Sequence, residues 1–149
     1  MEIERHVVVA GPAEAVFALI DDLDRYPSWM DLVHDVARVD GAANEPGPAW
    51  EVELQARVGP FARSKRLRMV RTVHDFPNAV VFERSEVDGR RHAAWTLRAS
   101  LVDVGAGSVE VTMTLLYGGN LWTGAVLQRV LDDHVERGAA ALVALRSTP

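Results

Sequence analysis

The chain has 149 residues, 48% of them hydrophobic, and a formal charge of −5, and that length suits one domain over residues 1–149 built on a single core. An acidic balance argues against nucleic acid as the main partner, because phosphate binding needs a positive field. With no cysteine there are no disulfides, no thiolate catalysis and no cysteine-based zinc site. No apolar run reaches the ~20 residues of a bilayer span. Strand-like sequence begins almost at Met1, so the expectation is a cytoplasmic protein with no leader in front.

Glu2 to Val9 is rich in β-branched residues and reads as a strand. Gly11-Pro12-Ala13-Glu14 opens a helix, with proline in its first turn and an acid near the positive end of the dipole. Val16, Phe17, Leu19, Ile20 and Leu23 form its buried side. Asp24 is positioned to cap a second short helix, Arg25 to Met30, in which Pro27 is tolerated because it lies in the first turn.

Six strands are then expected between Leu32 and Tyr117. The third of the chain alternates Trp50, Val52, Leu54, Ala56 and Val58 with Glu51, Glu53, Gln55 and Arg57, the period of a half-buried strand. Asp75-Phe76-Pro77-Asn78 and Gly105-Ala106-Gly107 mark turns between antiparallel neighbours. Arg63, Lys65, Arg66, Arg68 and Arg71 form a basic run that alternation splits between two faces, leaving a solvated outer face and one or two rim residues.

The chain closes on a long amphipathic helix, Asn120 to Arg146, with Asn120 as N-cap. Leu127, Leu131, Val135, Leu142 and Leu145 recur at helical spacing, with Val126, Val130 and His134 on the flank. Asp133 and Arg137 are spaced as an (i, i+4) pair. Gly124 and Gly138 interrupt the helix, and Gly138 lies where a sheet residue or a ligand would fill the space of its missing side chain. Such a helix buries its stripe by crossing the concave face of a curved sheet, which makes a pocket.

Three stretches carry a family resemblance: Val9-Ala10-Gly11-Pro12-Ala13-Glu14-Ala15-Val16-Phe17, Leu23-Asp24-Arg25-Tyr26-Pro27-Ser28-Trp29 and Ala94-Trp95-Thr96-Leu97-Arg98-Ala99. With the element order, they make the chain resemble the START-like (SRPBCC) superfamily, which includes polyketide cyclase/dehydrase-like and coenzyme-Q-binding-like proteins. The resemblance implies an α+β helix-grip fold. In it, a curved antiparallel sheet of about seven strands wraps a long C-terminal helix, and two short helices follow strand 1. It also implies a deep cavity between sheet and helix, lined by alternate strand residues.

The expected lining consists of Trp50, Val52, Leu54, Leu67, Met69, Val73, Val80, Phe82, Trp95, Leu97, Leu101, Val111, Met113, Leu115 and Tyr117. Leu127, Leu131 and Val135 close it from the helix, and Trp29 stands near an entrance. Trp and Met suit flat or flexible apolar molecules. Arg71 keeps the inward phase of Leu67 and Met69, so it is a candidate to bind a carboxylate, enol or phenolate oxygen, or else to pair with a rim glutamate. Tyr117 and His134 are candidates for proton transfer. Neither a metal nor another cofactor is expected, since the histidines lack ligand spacing and Gly118-Gly119 lacks the rest of a phosphate loop. Two functions are carried forward: polyketide aldol cyclisation and dehydration first, with carriage of an isoprenoid quinone or other lipid without chemistry as the alternative. The partner in both is a hydrophobic small molecule, taken up by a monomer or homodimer.

Overall fold

In the computed structural model, residues 2–58, 60–118 and 125–147 are described. The order of elements is β1 (Glu2–Ala10), α1 (Ala13–Ile20), a 3-10 helix (Leu23–Ser28), β2 (Val33–Val39), β3 (Ala49–Val58), β4 (Phe61–Asp75), β5 (Ala79–Arg84), β6 (Trp95–Gly105), β7 (Ser108–Tyr117) and α2 (Ala125–Ser147). All seven strands form one antiparallel sheet in the order β1-β7-β6-β5-β4-β3-β2. Each strand from β2 onward pairs with the next in sequence, and β1 closes the series against β7, with Ile3 opposite Leu115 and Val7 opposite Val111. This is the helix-grip α+β architecture, and α2, about 35 Å long at 1.5 Å per residue, packs chiefly on β1 and β3.

Alternation supplies the core. Trp50 and Val52 of β3, Val80 and Phe82 of β5, and Val109, Val111, Met113, Leu115 and Tyr117 of β7 are all buried on the concave face. From α2 come Leu131, Val135, Ala139 and Leu142. Leu145 departs from the expected stripe and is 42% exposed. A step of four from Leu142 continues the buried line at Arg146 instead, and its Nε donates to Ala10 O at 3.1 Å. Asn120, the expected cap, and the side chain of Leu127 lie outside the described residues.

Two expectations change for identifiable reasons. A bulge in β4 between Arg71 and Val73 reverses the phase of the strand, so Val73 points outward at 44% exposure. The second short helix begins two residues early, because Asp22 rather than Asp24 caps it, accepting from Asp24 N at 2.9 Å. Gly138 makes room for neither a sheet residue nor a ligand. A Cβ there would stand 2.6 Å from Sδ of Met30, which follows the 3-10 helix.

Gly47 is a closer fit. It lies between β2 and β3 against the backbone of β4, where Arg71 N donates to Pro48 O at 3.0 Å, and a Cβ would fall on the Arg71 carbonyl oxygen. Backbone cannot swing aside as a side chain can. Gly47→Ala is therefore expected to destabilise by about 1–3 kcal/mol, read as a lower midpoint of chemical denaturation; an unchanged midpoint would show that the β2–β3 connection has slack.

Candidate functional site

Between α2 and the concave sheet lies an apolar cavity of about 40 Å³. Of the residues expected to touch a ligand, Leu67, Met69, Trp95, Leu97, Leu115 and Val135 line it. Val52 and Leu54 complete the sheet side. The remaining wall comes from Leu23, Met30, Leu32 and Val33, which the sequence reading did not place there. Those four follow α1 in a stretch too short for a period to show. Trp50, Phe82, Met113 and Leu131 are buried in the surrounding core instead, where Trp50 and Phe82 meet edge to face at 5.6 Å. Trp95 lies against Tyr117 with ring centroids 4.6 Å apart, and its Nε1–H is buried without a hydrogen-bond partner among the described residues.

Three residues singled out from the sequence serve the end of α1. The last carbonyls of a helix have no partner within it. Here Leu19 O accepts from Trp29 Nε1 at 3.0 Å, Ile20 O from the Tyr26 hydroxyl at 2.7 Å, and Asp21 O from Arg71 Nη1 at 2.9 Å. Trp29 is thus buried beside Tyr26, not at an entrance. Arg71 does keep the inward phase, opposite Phe82, but it is not part of the cavity wall and its charge is held under α1. Burial, assisted by the nearby Asp21 carboxylate, pushes the Tyr26 phenol far above its ordinary range, so it remains a hydrogen-bond donor.

His134, the third polar candidate, has a different setting. It lines a second, polar cleft of about 510 Å³ together with Asp31, His34, Gln55, Val130, Asp133 and Arg137. The ring is 6% exposed, with Nδ1 2.7 Å from Asp31 Oδ1. Arg137 Nε donates to Asp31 Oδ2 at 3.2 Å, and Arg137 Nη2 stands 3.0 Å from the same ring nitrogen. Partial burial raises the Asp31 pKa, but the hydrogen bond from His134 and the charges of His134 and Arg137 outweigh it and hold the carboxyl below its usual range. So Arg137 reaches Asp31 instead of the Asp133 expected one turn away.

The basic run on β4 keeps Arg63 and Arg66 exposed, as expected, but Arg68 departs from the solvated face. Arg68 is 4% exposed on the side of the sheet away from the cavity, in a two-toothed pair with Glu45 at 2.7 Å for each bond. Among the described residues no group of three His, Cys, Asp or Glu is placed to hold a metal ion, and no described helix is long and apolar enough to cross a membrane.

A family model described as polyketide cyclase / dehydrase and lipid transport matches residues 9–143. Solved structures of similar fold include a START superfamily protein from Mycobacterium smegmatis, 16% identical, with a TM-score of 0.76 over 98% of this chain and 97% of that one. The Zhui aromatase/cyclase from Streptomyces sp. R1128 is 13% identical, with a TM-score of 0.66 over 99% of this chain and 93% of that one. The ginseng major latex-like protein 151 from Panax ginseng is 10% identical, at 0.70 over 98% and 97%. At these identities the likeness is one of fold. No curated protein matches the sequence.

Proposed function

Because the chain belongs to the polyketide cyclase/dehydrase and lipid transport family, we propose that it binds a hydrophobic small molecule between the sheet and α2 and carries it without chemical change. The observation that carries this reading is the cavity wall, whose exposed surface is apolar throughout. A wall of that kind selects by shape and apolar area. Water is a poor occupant, since it needs two or more polar partners. At about 40 Å³ the cavity holds no lipid as it stands, so uptake requires its walls to part.

Cyclisation is the second reading. It is favoured by the Asp31–His134 pair in the neighbouring cleft, where an imidazole oriented by a carboxylate is suited to take up a proton from a bound poly-β-ketone. On this reading Arg71 and Tyr117, outside the cavity wall, would support the fold around the site.

The test is to purify the protein from its native host, extract it with organic solvent and identify any stoichiometric small molecule by mass spectrometry. An intact isoprenoid or fatty chain is the expected result. Recovery of a cyclised aromatic polyketide would replace carriage by catalysis, and incubation that converts an added poly-β-ketone would do the same.

A further inference from the structure

The apolar cavity and the polar cleft are formed by neighbouring residues of the same segments. Leu32 and Val33 face the cavity while Asp31 and His34 face the cleft; Leu54 is followed by Gln55, and Val135 is preceded by His134. The two spaces therefore adjoin along the start of β2, the second half of β3 and the middle of α2. From this we infer that the cleft receives the polar head of the ligand whose apolar body enters the cavity, and that the head is an uncharged hydroxyl, not a carboxylate or phosphate. The inference rests on the proposed binding of an apolar molecule and names the chemistry of its polar end.

The charges decide the head. Asp31 and Asp133 face the cleft against Arg137, and Arg137 is already matched to Asp31 through Nε at 3.2 Å. Asp133 has no ion pair among the described residues, so a second carboxylate faces the cleft beside the matched pair. An incoming carboxylate would have to displace Asp31 from Arg137 and would then meet Asp133. A hydroxyl meets no such opposition.

The hydrogen-bonding groups agree. Nδ1 of His134 is engaged by Asp31 Oδ1 at 2.7 Å and by Arg137 Nη2 at 3.0 Å, which leaves Nε2 as the ring nitrogen a ligand can meet. Nε2 has no partner among the described residues. The cleft thus offers an acceptor at Asp133, an amide at Gln55 and the open Nε2 of His134, a set that calls for a group able both to donate and to accept. A hydroxyl does both. The same imidazole would otherwise act only as a tie between α2 and the segment after the 3-10 helix.

Three aromatic probes of similar size separate these possibilities: naphthalene, β-naphthol and β-naphthoate, titrated into the full-length protein at neutral pH and low salt. β-Naphthol is expected to bind about tenfold tighter than β-naphthoate and about fivefold tighter than naphthalene. The His134 ring nitrogen resonances should shift with β-naphthol and stay put with naphthalene, a change that a purely structural tie would not produce. His134→Phe should bring β-naphthol down to the affinity of naphthalene. Should that variant fail to fold, the ranking and the nitrogen shifts in the unaltered protein still decide. Equal affinity for β-naphthol and naphthalene, or β-naphthoate equal to or tighter than β-naphthol, would overturn the hydroxyl head while leaving apolar binding intact. Failure of all three probes to bind would remove both readings.

Discussion

Arg68→Met is expected to destabilise the protein by about 3–5 kcal/mol and to lower the thermal midpoint by about 10 °C. The guanidinium is buried and makes four bonds: Glu45 Oε2 and Oε1 at 2.7 Å each, Ser85 O at 3.0 Å and Asp40 O at 3.2 Å. It joins the β2–β3 connection to the segment leaving β5, two pieces of chain with no ladder between them. Methionine fills much of the volume but leaves a mostly buried carboxylate and two carbonyls without their donor, and unpaired buried groups account for most of the cost.

The same pair fixes a pH signature. The hydrogen bonds from Arg68, opposed by burial and assisted by Ala42 N, lower the Glu45 pKa from 4.5 to about 2. A carboxyl with a depressed folded-state pKa contributes stability above its unfolded value and loses it as pH falls toward the folded value. The contribution is therefore complete at neutral pH and fades between 4.5 and about 2. In Arg68→Met the depression disappears, so the difference between variant and parent should shrink on acidification. Urea denaturation at neutral pH and in that acid window checks this. A difference that stays constant would mean that the pair adds nothing beyond packing.

Strand number was legible because each strand of the sheet hides one face and a period of two survives without tertiary information, and the turns at 75–78 and 105–107 marked two of the pairings. Seven of the twelve residues of the cavity wall followed from the same rule of alternation. What escaped was long-range. Nothing near Arg68 in the sequence marks Glu45, 23 positions away, as its partner, and so the basic run read as a solvated face. Arg137 had Asp133 one turn away but bonds to Asp31, 106 positions distant, because the chain leaving the 3-10 helix passes beside α2. The bulge after Arg71 left no mark either, since one inserted residue changes phase without changing composition. Arg71 itself shows the limit most clearly: its inward direction was readable, but not that the end of α1 lies over it. The stretch Leu23 to Trp29 carried the family resemblance, and two of its aromatic residues turn out to cap a helix.

That capping makes Tyr26 the second sensitive position. The side chain is 1% exposed, meets Trp29 at 4.6 Å and Phe82 edge to face at 5.8 Å, and donates its hydroxyl to Ile20 O at 2.7 Å. Tyr26→Ala removes all of this and is expected to cost about 3–5 kcal/mol. Tyr26→Phe keeps the ring contacts and deletes only the donor, leaving Ile20 O buried and unpaired, for about 1–3 kcal/mol. The pair of variants divides aromatic packing from helix capping. Amide hydrogen exchange adds the location: with Tyr26→Phe, protection should fall in the last turn of α1 and hold in β5, whereas with Tyr26→Ala it should fall in both. If Tyr26→Phe leaves both stability and exchange unchanged, Ile20 O finds another donor and α1 does not depend on the 3-10 helix for its end. If it reproduces the full loss of Tyr26→Ala, the single hydrogen bond sets the position of the 3-10 helix, and with it Leu23 and Met30 in the cavity wall.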